Sequence, residues 1–393
     1  MTSSLPDSSA RKDGMNGIGH STGSGKPRVG EEVEVGRRIE CWGHRGASAN
    51  LPENTLASYR AAILEGAEGI ESDVHATTDG VILMFHDPTL DRTTDGKGAI
   101  KEQAWVGSIE HVRTKKQPVQ PIPTFEQLIA LIMEPENRHV ILNVDCKIQN
   151  DPETLFPQMA KIISSYPSYA TDLTPRIILG LWHPLFLEPA ARHLPTCKRY
   201  HIGISLPLAR QYFWDACEGF SIAFPMLMNG AGAGSNNSGG GQKFMEDCKR
   251  EGKEVCVWTV NTAEEMRWCA RWGVKAIITD RVAYCVSVRE QWEKDPSVLD
   301  FPLFKKLTFP WSSWKYYSLP QVRIISSLAS FHPGLLTSCV CAALKIMLLR
   351  WVEDNLQRNA FQPGPLKEVD LSRVLEDKPV RQEVEEDARH TNE

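Results

Sequence analysis

Short apolar runs recur along the centre of the chain, each closing on polar residues and each followed by an amphipathic stretch. The runs Ile39–Gly43, Gly69–Val74, Val140–Cys146, Arg176–Leu181, Tyr200–Ser205, Phe220–Pro225, Val255–Val260 and Lys275–Thr279 predict strands. Between most of them the apolar positions take helical spacing, as in Thr55–Glu65, Thr124–Met133 and Ala263–Trp272. Strands and helices in strict alternation predict an α/β protein, a TIM (β/α)8 barrel over residues 39–295. Val81–Phe85 follows Val74 too closely for a crossover helix, so it reads as the return strand of a hairpin. Asp79-Gly80 is its turn signal, and a two-residue turn there sets Asp73 opposite His86.

Outside the barrel the pattern changes. Residues 1–38 are rich in Ser, Gly and charge and read as a disordered tail, neither signal peptide nor anchor. Gly19–Lys26 imitates a phosphate-binding loop, but its glycine spacing is wrong and Pro27 stands where Ser or Thr is needed. The glycine-rich run Asn229–Gly241 reads as a flexible surface insertion. Residues 301–351 hold six basic residues, no acidic one and nine aromatics, Trp311, Trp314, Tyr316 and Tyr317 among them. That composition suits a bilayer interface. The apolar stretch Ile324–Leu349 is broken at His332-Pro333-Gly334. Its second arm, Leu335–Leu349, reaches about 22 Å as a helix, short of a ~30 Å hydrocarbon core. A monotopic or interfacial membrane-associating segment is therefore expected, with a helical subdomain packed on the barrel as the alternative. Residues 361–393 carry five basic and nine acidic residues and read as a disordered acidic tail.

Charge narrows the partners. The 393 residues include 44 basic and 49 acidic side chains, a net of −5, which excludes the footprint of a nucleic-acid binder. Ten cysteines are scattered with no Cys-x-x-Cys, so neither a disulfide framework nor a zinc ribbon is expected. Cys339 and Cys341 read as apolar filler. Scattered cysteines and no recognisable secretory signal lead to the expectation of a barrel on the cytosolic side, membrane-associated and not secreted.

The candidate chemistry sits where the βα loops begin, which is the active face of such a barrel. Gly43-His44-Arg45-Gly46 follows the first strand, Glu71-Ser72-Asp73 closes the second, His86-Asp87 ends the hairpin, and Asn143-Val144-Asp145-Cys146-Lys147 ends the next barrel strand. Alternation puts Glu71 with Asp73 and Asp145 with Lys147 on one side. Three converging carboxylates repel unless a hard divalent cation joins them, and oxygen-only donors suit Mg²⁺ or Ca²⁺ rather than zinc. His44 and His86 supply a general acid and a general base. Arg45 and Lys147 are cations for an anionic substrate, as phosphoryl transfer requires. Glu68 and Asp87 are read as structural.

His44-Arg45-Gly46, Pro52-Glu53-Asn54-Thr55, Glu71-x-Asp73, His86-Asp87, Trp258-Thr259-Val260-Asn261 and Ile278-Thr279-Asp280 occur in that order. Over about residues 39–290 this resembles the glycerophosphodiester phosphodiesterase family. The resemblance implies a metal-dependent TIM-barrel phosphodiesterase with His44 and His86 as acid and base. It implies Glu71 and Asp73 as metal ligands, and Asp145 in a place where the family usually has the glutamate of a Glu-x-Lys pair. Arg45 is implied to contact the phosphate with Lys147 beside it; Glu53 either joins the site or holds Arg45 from behind, and Trp258 either floors a glycerol pocket or packs the barrel. The Asp-x-Lys variant and Gly180-Leu181-Trp182 are similar to the fungal phosphatidylglycerol phospholipases C, whose hydrophobic C-terminal segment associates with lipid droplets and mitochondria.

The expected function is thus metal-dependent phospholipase C cleavage of phosphatidylglycerol to diacylglycerol and glycerol phosphate. The route expected is attack by the glycerol 2-hydroxyl, giving a cyclic phosphate that water opens. The alternative is hydrolysis of soluble deacylated glycerophosphodiesters to glycerol 3-phosphate and an alcohol. A D-type cut yielding phosphatidic acid is a third option, and a catalytically dead lipid-binding barrel a fourth. The expected partners are a glycerophospholipid and a membrane or lipid-droplet surface, with no nucleic acid and no protein partner.

Overall fold

The computed structural model describes residues 38–228 and 240–299. The expected N-terminal tail up to Arg37, most of the glycine-rich run, the membrane-associating segment and the acidic tail lie outside the described residues.

Eight parallel strands close into a barrel. They are β1 (Glu40–His44), β2 (Gly69–Ala76), β4 (Ile141–Cys146), β5 (Ile177–Leu181), β6 (Lys198–Gly203), β7 (Gly219–Ala223), β8 (Glu254–Trp258) and β9 (Ala276–Thr279). Each pairs with the next around the ring, and β1 closes it by pairing with both β2 and β9. The intervening short strand β3 (Ile82–Met84) hangs antiparallel on β2, as expected for the hairpin return. Helices α1 (Leu56–Leu64), α2 (Phe125–Ile132), α3 (Pro152–Ser164) and α4 (Leu187–His193) pack outside, with the short turns α5 (Leu206–Leu208) and α6 (Phe224–Met228). The ring is completed by α7 (Gly241–Arg250), α8 (Ala263–Trp272) and α9 (Val282–Lys294). Among the described residues, no helix is long and apolar enough to cross a membrane.

Local chemistry explains the starts. Thr55, Thr124 and Thr262 cap α1, α2 and α8, each hydroxyl accepting an N–H three residues on while the side chain of that residue reaches back. The outward faces of the strands and the inner faces of the helices form one large apolar layer. A second cluster, Trp42, Ile178, Tyr200, Cys256, Ala276 and Ile278, plugs the barrel interior. At its base Glu40 and Glu254 take the ammonium of Lys275 at 2.7 and 3.5 Å. The plug fills the interior from below, so the polar residues of the strand ends stand on a mainly apolar floor.

Two expectations need correction here. The hairpin register is one residue off: Val74 pairs with Met84 and His75 with Leu83, so Asp73 stands opposite Phe85 rather than His86. The Phe85 N–H donates to Asp73 O at 2.9 Å. The turn holds three residues between Thr77 and Val81, with Gly80 at φ +77°, a conformation glycine adopts freely. Asp79 is drawn away from a two-residue turn because its carboxylate caps the N–H groups of Trp105 and Val106. The strands β6, β7 and β8 also start one or two residues before their apolar runs, since Lys198, Gly219 and Glu254 already belong to the ladder.

Candidate active site

The β1–α1 loop is built around a strained backbone. Arg45 takes φ +57° and Gly46 +83°, and a Cβ on Gly46 would lie 2.6 Å from the Ser58 carbonyl carbon. Arg45 is held there because its N–H donates to Glu71 O at 2.8 Å. Its own carbonyl accepts from Asn54 N–H at 3.1 Å and Ser58 Oγ at 2.9 Å. Strain of this kind persists only where the surroundings over-determine it. Its effect is to aim the guanidinium back over the β2 carboxylates.

The register of β2 against β4 brings the acids together. Glu71 is level with Asn143 and Asp73 with Asp145. Carboxylate oxygens of Glu71, Asp73 and Asp145 lie within 4.8 Å of one another, and all three residues are buried. Lys147 bridges two of them, 2.7 Å from Asp73 Oδ1 and 2.6 Å from Asp145 Oδ2. Arg45 Nε lies 3.3 Å from Asp73 Oδ2, and Asn54 Nδ2 donates to the same oxygen at 2.8 Å. Burial alone would raise Asp73, but Lys147 and Arg45 outweigh it and hold its carboxyl well below the ordinary range. Burial, then the charges of Asp73 and Asp145, push Glu71 well above it. Burial lifts Asp145 as well, against the pull of Lys147. Burial works to lower Lys147, yet the two aspartates raise it, so it stays an ammonium.

Glu71 is therefore the carboxyl whose ionised form the protein alone does not compensate. The three carboxylates offer only oxygen, the donor set of a hard divalent cation, so the residues present fit one. Asn143, fully buried with neither amide atom hydrogen-bonded, faces the same interior. The remaining contact to Asp145 is the indole N–H of Trp182, donated to Oδ1 at 2.7 Å.

Each candidate histidine is backed by a carboxylate. His44 Nδ1 lies 2.7 Å from Asp280 Oδ1, and Nε2 faces Glu71 Oε2 at 3.9 Å. Asp280 also accepts from Ser48 Oγ at 2.8 Å and Asn261 Nδ2 at 2.6 Å. Burial opposes ionisation of Asp280, but the His44 hydrogen bond and charge prevail and hold it at about 2. His86 Nδ1 lies 2.7 Å from Asp87 Oδ1, and Asp87 is gripped by Arg92. Burial would raise Asp87, yet the bonds to His86 and Arg92 lower it below the ordinary range. His75 Nε2 donates to His86 O at 3.1 Å and fixes the backbone beneath it. In both dyads Nδ1 is occupied and Nε2 is the free nitrogen.

The structure thus brings His44, Arg45, Glu71, Asp73, Asp145 and Lys147 into contact at one end of the barrel. Glu53 stands behind Arg45, accepting from it at 2.9 Å and from Arg92 at 2.6 Å. A cavity of about 330 Å³ opens beside them, lined by His44, Arg45, Ser48, Glu53, Asp280 and Arg281 among others. Trp258 does not line it. Its indole donates to Ser221 O at 3.0 Å and its ring meets Trp182 edge-on at 5.9 Å.

Sequence reasoning missed several partners. Asp87, read as structural, is the carboxylate of His86. Glu68, also read as structural, is so: it binds Arg289 and the Cys41 N–H on the barrel's outer side. Asp280 had a usable signal. Barrel closure sets the last strand beside the first, with Gly43 level with Thr279, which puts the next residues, His44 and Asp280, side by side. Asn54 and Trp182 stand in motifs that carry the resemblance, but their contacts to Asp73 and Asp145 had no signal, because each reaches the site through a side chain from a neighbouring loop.

The sequence profile of the Glycerophosphoryl diester phosphodiesterase family matches residues 44–284. A glycerophosphodiester phosphodiesterase of Caldanaerobacter subterraneus subsp. tengcongensis is 28% identical over 249 residues, 60% of this chain and 92% of that one. Human glycerophosphodiester phosphodiesterase 1 is 28% identical over 270 residues, 62% of this chain and 78% of that one. Among solved structures, an Oleispira antarctica phosphodiesterase in complex with the product sn-glycerol-3-phosphate superposes with a TM-score of 0.54. It is 24% identical and covers 64% of this chain and 96% of its own. A glycerophosphodiester phosphodiesterase from Agrobacterium tumefaciens gives 0.51 at 20% identity, covering 64% and 99%. At these identities the solved structures speak for the fold.

Proposed function

Since the chain belongs to the glycerophosphoryl diester phosphodiesterase family, we propose that it hydrolyses glycerophosphodiesters to glycerol 3-phosphate and an alcohol, using one divalent cation, Mg²⁺ or Ca²⁺. The observation that carries this reading is the joint geometry of the site. Two carboxylate-backed histidines share one barrel end with an all-oxygen trio and two fixed cations. Glu71, Asp73 and Asp145 would hold the cation. When bound, it withdraws charge from phosphoryl oxygens and acidifies an attacking hydroxyl.

The chain's own residues supply the rest. Arg45 and Lys147 bind and orient the phosphate, and their immobility means no reorganisation is needed as charge develops. Asp280 and Asp87 each occupy Nδ1 of their histidine, leaving Nε2 to move a proton. One histidine takes the proton of the attacking hydroxyl. The other returns one to the leaving alkoxide as its bond to phosphorus breaks. If the glycerol 2-hydroxyl attacks, a cyclic phosphate forms and water opens it by the same proton traffic. A substrate with 2-deoxyglycerol is then inert. Normal turnover of that analogue would leave direct attack by water.

A second reading is phospholipase C cleavage of phosphatidylglycerol at a membrane on the cytosolic side. The basic, aromatic composition of residues 301–351 supports it, as does the resemblance of the Asp145-x-Lys147 pattern to the fungal branch. Glycerol 3-phosphate released from glycerophosphocholine, with no diacylglycerol from phosphatidylglycerol vesicles, favours the first reading. The reverse favours the second. Loss of lipid hydrolysis, but not of soluble-diester hydrolysis, on deleting residues 301–351 would tie that segment to the membrane.

A further inference from the structure

Asn143 is an anomaly inside the barrel. It lies on β4, level with Glu71 on one side and Ile178 on the other, two residues before Asp145. Alternation sets its side chain on the face that carries Asp145. It is 0% exposed, and neither Oδ1 nor Nδ2 has a hydrogen-bond partner. The other buried asparagines among the described residues all use theirs. Asn54 donates to Asp73, Asn137 to Leu131 O, and Asn150 to Val74 O and Lys147 O.

A buried amide without partners is costly, at about 1–3 kcal/mol for each unmade bond. A leucine would fill similar space without that cost. Ile178 belongs to the plug below, where the indole N–H of Trp42 and the hydroxyl of Tyr200 are taken by Glu40 and Glu254. Its ionisable neighbours in the register are Glu71, level with it on β2, and Asp145, two residues on along β4.

We propose that Asn143 is a fourth protein contact to the divalent cation, its amide oxygen turned to the ion held by Glu71, Asp73 and Asp145. This rests on the metal-dependent reading of that trio. An amide oxygen is a hard, neutral donor of the kind Mg²⁺ and Ca²⁺ accept. It adds a ligand without adding a fourth negative charge to three that already repel. Its Nδ2 group then donates to a carboxylate oxygen of the trio and fixes which way that carboxylate faces.

The test is cation binding to the full-length protein without substrate, by calorimetry with Mg²⁺ and Ca²⁺ and by water-proton relaxation with Mn²⁺. Asn143→Leu is expected to raise Kd by about 10- to 100-fold, while its EDTA-treated form melts no lower than wild type. Asn143→Asp, which keeps the oxygen, is expected to bind at least as tightly as wild type. Equal Kd for Asn143→Leu and wild type would overturn the proposal and leave the trio's metal role intact. Should Asn143→Leu fail to fold, weaker binding by Asn143→Asp would overturn it. A wild-type chain that takes up no divalent cation would instead sink the reading of the trio, and this inference with it.

Discussion

Lys147→Met tests the electrostatics of the site most sharply. The ammonium sits 2.7 Å from Asp73 and 2.6 Å from Asp145, and those residues are 1% and 5% exposed. Methionine keeps most of the chain's length and apolar volume but removes the charge. The carboxylates of Asp73 and Asp145 face two cations, Lys147 and Arg45. Without Lys147 they face one. Breaking a buried ion pair by deleting one partner costs about 3–5 kcal/mol, because the other charge is stranded. At about 2–4 °C per kcal/mol for a domain of this size, Tm in EDTA should fall by roughly 6–20 °C. A divalent cation brings back the missing positive charge. Free cation at about 1,000 times Kd stabilises by about 4 kcal/mol, so it should restore most of the loss. The assay is thermal unfolding of both proteins in EDTA and in saturating Mg²⁺ or Ca²⁺. A variant within about 1 kcal/mol of wild type in EDTA would refute the reasoning. So would a variant that cations leave unrescued while they stabilise wild type.

Two further outcomes are expected. Asp280→Asn should cut kcat by about 10²- to 10⁴-fold with KM little changed, because His44 loses the carboxylate charge that sets its tautomer and stabilises its protonated form; steady-state kinetics with an unchanged circular-dichroism spectrum check this, and unaltered kcat would exclude the dyad. His75, His183 and His201 are each lowered from 6.5 to about 4 by burial, so between those values the unfolded chain binds protons that the folded chain does not. Stability should therefore fall as pH drops from 6.5 towards 4, by about 3 kcal/mol per histidine. His183→Asn keeps the acceptor for the Leu185 N–H and should flatten that slope by about one proton, measured by urea unfolding at stepped pH.

Much of this was legible in the chain. Strand runs and helical spacing were enough for the barrel, because buried parallel strands read as continuous apolar runs. His44, Glu71, Asp73, Asp145 and Lys147 were found because strand ends of a barrel converge whatever the loops do. The Asp79-Gly80 turn misled by one residue, since Asp79 answers to Trp105 and Val106, far along the chain. Asp87 was passed over because a carboxylate next to a histidine in sequence looks like a turn until Arg92 fixes it. Trp182 and Asn143 fell inside the candidate motifs without a role, for their meaning lies in what each side chain meets or lacks across a register that no local pattern encodes.

The central claim is phosphodiester hydrolysis by the His44 and His86 site with one divalent cation. The most direct measurement is release of glycerol 3-phosphate from glycerophosphodiesters by the purified full-length protein, with Mg²⁺ or Ca²⁺, with EDTA, and with His44→Ala. Release that needs the cation and vanishes in His44→Ala is the predicted result. Release that EDTA leaves untouched, or that His44→Ala retains in full, would contradict the account.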